Sequence, residues 1–454
     1  MNVCHFEEYL MTIILFFIPC IMLAGISALP TKPIYVGHKK QLFIDERFIE
    51  TQKGISLTMN PPVKQSVRNV KKLLALPENA KLDFGKIFYD PSASPQKRWK
   101  KILRKGRMGD IETAGIYISY SADKIKWTEV PKRVFPYYPD GETSMMYDPS
   151  LGKYLVHCRQ WIEREIGIPY SKAKTLPLRT VGVLIVDDAL KPWVNGLPER
   201  PTYIWGTHKL PAPGIEFKVA LACDKKDPPE SDIYYQGVTR YPWADDVYLA
   251  FPTLYRHFLD EPGSTKKKND GLTCVQLATS RDGIHWRRFR GAYIRLGVKG
   301  SPDSAMISYQ RALVRDGDEL CQYYFASYNS HAAHIKLKDK NFKGMTVQRL
   351  DGFVSADADY EGGEFTTPLI IFDGNKLELN IDTTATGHAQ VEILDRNGLP
   401  VKGFSLKESD MIQGNFVRII ATWRNADVST LRRQQIRLRF VMREAKLYAF
   451  QFSH

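Results

Sequence analysis

The stretch "TSRDGIHWRRF", residues 279–289, decides the fold. Ser280, Asp282 and Trp286 stand at fixed spacing, with Gly283 directly after the Asp. An Asp that opens a turn bonds its own backbone two residues on, and a following glycine tolerates the tight turn. One such phrase reads as a hairpin whose Trp returns to the core. The chain writes it again. "SYSADKIKWTEV" carries Ser121, Asp123 and Trp127 at the same spacing, and "VLIVDDALKPW" carries Asp188 and Trp193 with one extra residue between them. Recurrence at intervals of many tens of residues points to a repeated four-stranded unit, the blade of a β-propeller.

Working outward, a hairpin precedes each phrase. "GETSMMYDPSLGKYLVHCRQ" (141–160) reads as strand, turn at Asp148–Gly152, strand. Residues 84–105 repeat it with Asp90 in place of Asp148 and Trp99 in place of Tyr154. Residues 234–255 and 303–328 are further copies. Third strands follow in "GIYISYSA", "VGVLIVDD" and "VQLATSRD". Four blades are expected near 79–135, 136–198, 230–292 and 300–350. Two orphan pieces, 41–62 and 345–359, also read as strands and are expected to combine into a fifth blade that closes the ring without a free edge. After about Gly362, segments such as "AQVEILD" and "QIRLRFVM" alternate apolar and polar residues with period two, as in a β-sandwich. The fold class expected is therefore all-β, a five-bladed propeller over 41–359 followed by a C-terminal sandwich over 362–454.

Composition bounds the partners. The 454 residues carry a net charge of +14, spread along the chain rather than gathered in an arm. No nucleic-acid motif is present. A basic exported protein suits anionic partners such as acidic or sulfated polysaccharide, although a basic surface of no specific use reads equally well. Residues 11–30 are apolar and end in small residues. Residues 1–28 read as a signal peptide cleaved near Ala28 or as an N-terminal anchor, and Glu7 and Glu8 stand where a signal peptide has basic residues. The expected location is exported, with membrane attachment only if that segment is retained. The remaining Cys158, Cys223, Cys274 and Cys321 lack metal-ligand spacing and read as buried thiols. Neither a metal nor a cofactor is expected.

The turn phrase and the propeller-plus-sandwich pattern resemble glycoside hydrolase families 32 and 43. "LFIDERFIE", "DIYYQGVTRYPWADDVYLAFPTLYRH", "LATSRDGIHW" and "DGFVSADADYEGGEFTTPLIIFDGNKLELN" are similar to an uncharacterised group of exported bacterial propellers labelled glycosyl-hydrolase-like. The resemblance implies carboxylates at the starts of inner strands, converging on an axial pocket. It places Glu142, Asp83, Asp303 and Asp232 near such starts and Asp45 on the closing strand. At the family's acid position the strict alignment falls nearer Tyr235. The "N-D-P-N-G" motif of sucrose-cleaving enzymes is absent, which argues against fructans.

Arg104 and Arg159 each end a second strand and are expected to face the pocket. There they would bind an anionic sugar or form structural ion pairs with Asp83 and Glu142. Arg179, Tyr255, His257 and His331 are rim candidates. Asp90, Asp123, Asp148, Asp188 and Asp282 belong to turns. Two functions follow from the resemblance: an exported glycoside hydrolase acting on a complex polysaccharide, acidic or sulfated forms included, or a non-catalytic glycan-binding propeller. A third, a structural envelope protein, would have a filled axial channel.

Overall fold

The computed structural model describes residues 32–68, 86–106, 114–136, 139, 141–162, 178–193, 203–205, 208–210, 217–228, 230–258, 270–337 and 342–454. The regular structure of the described residues is mostly β-strand, with one short α-helix, His331–Leu337. No helix among the described residues is long and apolar enough to cross a membrane.

Four blades follow one another along the chain. Blade 1 is a four-stranded antiparallel sheet of Ile87–Tyr89, Trp99–Lys105, Gly115–Ser121 and Thr128–Glu129. Blade 2 runs through Thr143–Asp148, Lys153–Ile162, Leu178–Val186 and Lys218–Leu221. Its outer strand is therefore not the Trp193 segment that the sequence pattern suggested. Trp193 instead bonds back to the Val134 carbonyl at 2.7 Å and packs on Phe135. Blade 3 is built on Ser231–Tyr235, Thr253–His257, Gly271–Ser280 and Arg287–Ile294. Blade 4 is built on Met306–Tyr309, Glu319–Ser327 and Phe342–Arg349, and the N-terminal strand Val63–Gln65 completes its outer edge.

Successive side chains of a strand point to opposite faces, so a blade between two others must be apolar on both. Blade 2 shows why the sequence "TSMMYD" suits this. Met145 joins Ile102, Ile116 and Ile118 in the core shared with blade 1, while Met146 joins Ile233 and Leu254 in the core shared with blade 3. Val156 and Leu155 divide in the same way. Phe251, Val275 and Leu277 meet Ile307 and Tyr309 between blades 3 and 4.

Hydrogen bonds fix how the blades meet. Asp148 Oδ1 accepts from the Ser150 amide at 2.8 Å and the Leu151 amide at 3.1 Å, closing its hairpin turn. Its Oδ2 accepts from the Tyr248 hydroxyl of blade 3 at 2.9 Å. Asp90 repeats the arrangement one blade earlier, taking the Ser92 amide at 3.0 Å and the Tyr154 hydroxyl of blade 2 at 2.6 Å. The Asp of each Asp–Trp phrase closes a turn. Asp282 Oδ1 accepts from the amides of Ile284 and His285, each at 2.8 Å, and Asp123 Oδ1 from those of Ile125 and Lys126 at 2.8 and 2.9 Å. Asp188 takes the Leu190 amide at 2.9 Å. Gly283 is needed twice over: its φ is +67°, and an added Cβ would come within 2.6 Å of Leu155 in blade 2. Its carbonyl accepts from His157 Nε2 at 2.7 Å, so this turn is also a joint between blades.

The pieces expected to close a fifth blade do pair with one another, but elsewhere. Ile55–Met59 lies antiparallel to Val354–Ala358, whose other edge pairs with the long strand Arg437–Ser453. Both therefore belong to one eight-stranded C-terminal sheet, together with Thr51–Lys53, Gly363–Thr366, Lys376–Leu394 and Asn415–Ala421. The physical reason is apolar coverage. Leu57 and Ala356 pack on the C-terminal core of Phe43, Phe48, Phe365, Phe440 and Phe450. Among the described residues the ring is represented by four blades, and the C-terminal unit starts with N-terminal strands rather than at residue 362. The four cysteines are free thiols, three of them buried.

Two substitutions test these joints by urea unfolding. Tyr248→Phe removes one bond to a buried carboxylate that keeps its other donors, and should cost about 1–2 kcal/mol. Gly283→Ala adds backbone strain to overlap with Leu155 and should cost more, about 2–4 kcal/mol. Parent-like stability of the alanine variant would contradict the joint.

Candidate functional site

The inner ends of the four blades surround a cavity of about 580 Å³. Blade 1 contributes Lys86, Ile102 and Arg104; blade 2, Glu142 and Thr143; blade 3, Tyr234, Tyr235, Thr253 and Thr273. Blade 4 contributes Met306 to Gln310, Phe325 to Ser327, and His331 and His334 on its short helix. The centre of the ring is open, unlike the filled channel of a purely structural propeller.

Glu142 is the one carboxylate among the described residues lining this cavity. It sits one residue before the inner strand of blade 2, and about a fifth of its side chain (21%) remains accessible. Its Oε2 accepts from the Gly237 amide at 3.0 Å, and its Oε1 lies 3.9 Å from Arg311 Nε. Burial pushes its pKa above the ordinary glutamate value, and the Arg311 charge and the Gly237 amide offset this only in part. Burial also lowers the Arg311 guanidinium to about 10, against the pull of Glu142, so it stays charged at neutral pH. Arg311 Nη2 is buried and has no hydrogen-bond partner among the described residues.

Gly237 and Arg311 were not singled out from the sequence, yet a signal for them exists. The inner strands of blades 3 and 4 both end in Tyr-Gln, as Tyr235-Gln236 and Tyr309-Gln310. The next residue in each case, Gly237 or Arg311, falls at the same level of the ring and meets Glu142. Gln236 strengthens the junction, since its Nε2 bonds the Glu142 carbonyl at 2.5 Å and the His157 carbonyl at 3.2 Å.

The other carboxylates named from the sequence are placed differently. Asp232 is buried behind the wall, 2.8 Å from Arg179 Nη1 and 3.1 Å from His257 Nε2. Burial alone would raise its pKa, but the Arg179 and His257 interactions outweigh that and hold it near 2. It is therefore an ionised structural anion rather than a proton donor. Asp303 pairs with Lys64 at 2.5 Å and accepts from Ser301 Oγ at 2.8 Å, tying the N-terminal strand to blade 4. Its pKa is lowered, because those bonds exceed the opposing effect of burial. Asp45 caps the 3₁₀ turn Glu46–Phe48 and chelates Arg281 through two contacts of 2.9 Å. None of these three lines the cavity. Asp83 lies outside the described residues.

Of the basic and aromatic candidates, Arg104, Tyr235 and His331 are among the residues lining the cavity. Arg104 Nη1 donates to the carbonyls of Pro139 and Gly141, both at 3.0 Å, which holds it at the mouth. Arg159 does not face the cavity. It is buried beneath Gly141, donates to the Tyr234 carbonyl and lies 4.7 Å from the Tyr234 ring. Arg179, Tyr255 and His257 form a second layer, with Tyr255 fully buried 5.5 Å from the Tyr234 ring and 5.0 Å from that of His331. His331 Nε2 and the Tyr234 hydroxyl are 2.8 Å apart. Asp270 of blade 3 accepts from Ser330 Oγ and the Ala332 amide, both at 2.9 Å, and so anchors the helix that carries His331.

No family model matches the chain, and no curated protein matches it. Solved structures resemble it at a low level. One named as a glycoside hydrolase is 12% identical with a TM-score of 0.33, over 55% of this chain and 61% of that one, so the chain spans under two thirds of its length. A family 43 arabinoxylan arabinofuranohydrolase from Bacillus subtilis, in complex with cellotetraose, is 12% identical over 81% of this chain and 78% of that one, with a TM-score of 0.31. A family 32 β-fructofuranosidase of Bombyx mori is 9% identical over 82% and 90%, with a TM-score of 0.36. These similarities carry no residue roles, and the chemistry is argued from the cavity alone.

Asp232→Asn should leave the buried Arg179 charge without its counter-ion and cost about 3–5 kcal/mol. The Asp232 carboxylate has a folded pKa near 2, below the ordinary value of about 3.9. The stability it contributes is thus complete above that ordinary value and is lost as the pH falls toward 2. Unfolding free energies of parent and variant, measured between neutral pH and acid, should converge at the acid end.

Proposed function

We propose that the protein is an exported glycan-acting enzyme that takes a sugar into the axial cavity and protonates the leaving glycosidic oxygen from Glu142. The observation that carries this reading is the Glu142 environment. It is a carboxyl open to the cavity, with a pKa raised by burial and Arg311 as its charged neighbour at 3.9 Å. A general acid must hold its proton at working pH, and burial is the usual means of keeping it there. Tyr234 and Tyr235 supply aromatic lining for a sugar, while Arg104 and Lys86 place positive charge in the same lining. That charge favours a substrate bearing carboxylate or sulfate groups, in keeping with the basic composition of the chain. Export rests on the apolar run 11–30.

Hydrolysis also needs a base or nucleophile opposite the acid. Asp232 and Asp303 are held as ion pairs away from the cavity, which leaves Glu142 alone among the described carboxylates. This arrangement favours a second reading, a propeller that binds glycan in the cavity without cleaving it.

Glu142→Gln separates the two. Under the enzymatic reading, turnover on an acidic polysaccharide should fall by at least ~100-fold with folding intact. The parent's rate should decline as the pH rises through the elevated Glu142 pKa, and the variant should lack that alkaline limb. Under the binding reading, the parent releases no reducing ends at any pH and the variant changes affinity alone. Parent-like turnover in the variant would remove Glu142 from the chemistry.

A further inference from the structure

Tyr234 and His331 come from different blades and meet at the cavity wall. The Tyr234 hydroxyl lies 2.8 Å from His331 Nε2, and both residues line the cavity. The surroundings hold this pair in place. Tyr255, fully buried behind it, packs on both rings, 5.5 Å from that of Tyr234 and 5.0 Å from that of His331. Asp270 fixes the start of the helix that carries His331, through Ser330 Oγ and the Ala332 amide, both at 2.9 Å. Tyr234 also stands close to the support of Glu142. Gly237, whose amide bonds Glu142 Oε2 at 3.0 Å, is only three residues further along the chain. That is a span of at most about 10 Å, so one sugar unit can reach both groups.

We propose that Tyr234 is the nucleophile of the reaction and that His331 takes its proton, an inference that rests on the reading of Glu142 as the acid. A hydroxyl becomes a nucleophile when a neighbouring base accepts its proton, and a phenol can replace the second carboxylate of a glycosidase. With its proton on Nδ1, the imidazole accepts at Nε2, where the Tyr234 hydroxyl lies. In the first step the phenolic oxygen bonds to the anomeric carbon and its proton passes to His331 Nε2. The bond from that carbon to the leaving oxygen breaks, and this oxygen takes the Glu142 proton. In the second step a water oxygen bonds to the same carbon and gives a proton to the Glu142 carboxylate. The bond to Tyr234 breaks, and the phenolate recovers its proton from His331. A neutral phenol approaches an anionic sugar without the like-charge repulsion that a carboxylate nucleophile meets.

The test has two arms, both on the full chain. The first is acetylation by N-acetylimidazole, followed tyrosine by tyrosine with peptide mass spectrometry. Tyr234 should react at least ~10-fold faster than the exposed Tyr328 and Tyr360, and His331→Gln should remove that advantage. The comparison among tyrosines of the parent needs no variant, so it decides the matter even if His331→Gln does not fold. The second arm is reducing-end release from polygalacturonate, alginate and chondroitin sulfate. On any of these that the parent cleaves, Tyr234→Phe should lower turnover by at least ~100-fold, and the sugar first released should keep the configuration of the bond that was cut. Tyr234 reacting no faster than Tyr328, an inverted product, or parent-like turnover in Tyr234→Phe would overturn the proposal. If Glu142→Gln still abolished turnover in any of those cases, the reading of Glu142 as the acid would stand. No release by the parent from any of the three would count against the enzymatic reading and against this step with it.

Discussion

The architecture depends on a buried carboxylate in the hairpin turns of blades 1 and 2, each bonded to a tyrosine of the next blade. Asp148 is almost fully buried (2% exposed), and a carboxylate in that position is costly unless donors surround it. Ser150 and Leu151 supply donors from its own turn, and Tyr248 supplies the one from blade 3. Asp90 and Tyr154 do the same between blades 1 and 2. Because a hydrogen bond is directional where apolar packing is not, these contacts fix how far each blade is rotated against its neighbour. The consequence reaches the centre of the ring. Glu142, Gly237 and Arg311 come from three blades and meet only if those rotations are set.

The carboxylates divide between two kinds of environment. Asp232 receives a guanidinium at 2.8 Å and an imidazole at 3.1 Å, and stays ionised far below the usual range. Glu142 has one amide and one more distant cation, so burial dominates and favours the protonated form. Two acidic side chains on inner-strand ends of adjacent blades thus acquire opposite character from their neighbours rather than from their own chemistry. The first steadies the second layer behind Tyr234, and the second is the proton donor proposed for the cavity.

Much of this was legible in the sequence. The repeated Ser-x-Asp and Asp-Pro-Ser turns placed the hairpins, because a turn Asp acts on backbone two or three residues away. Glu142 was one of five carboxylates that the resemblance named, with Asp45, Asp83, Asp232 and Asp303. What the sequence did not reveal depends on long-range partners. Period-two alternation tells which face of a strand is buried but not which strand lies beside it. Residues 55–59 were expected beside 345–359 and do pair with 354–358, but the pair was read into the ring because its attachment to Arg437–Ser453 leaves no local signal. The pairing of Asp232 with Arg179 and His257, 53 and 25 residues away, left no local signal. The outer strand of blade 2, Lys218–Leu221, follows a stretch without alternation and was missed.

The central claim is that burial, opposed only weakly by Arg311, keeps Glu142 protonated above the ordinary range. It is tested most directly by following the side-chain carboxyl carbon of Glu142 by NMR in ¹³C-glutamate-labelled protein, with the Glu142→Gln spectrum assigning the resonance. The account predicts a midpoint clearly above the ordinary glutamate value of about 4.3, rising further when Arg311 is replaced by Met. A midpoint at or below that value, or one unmoved by the Arg311 change, would contradict it.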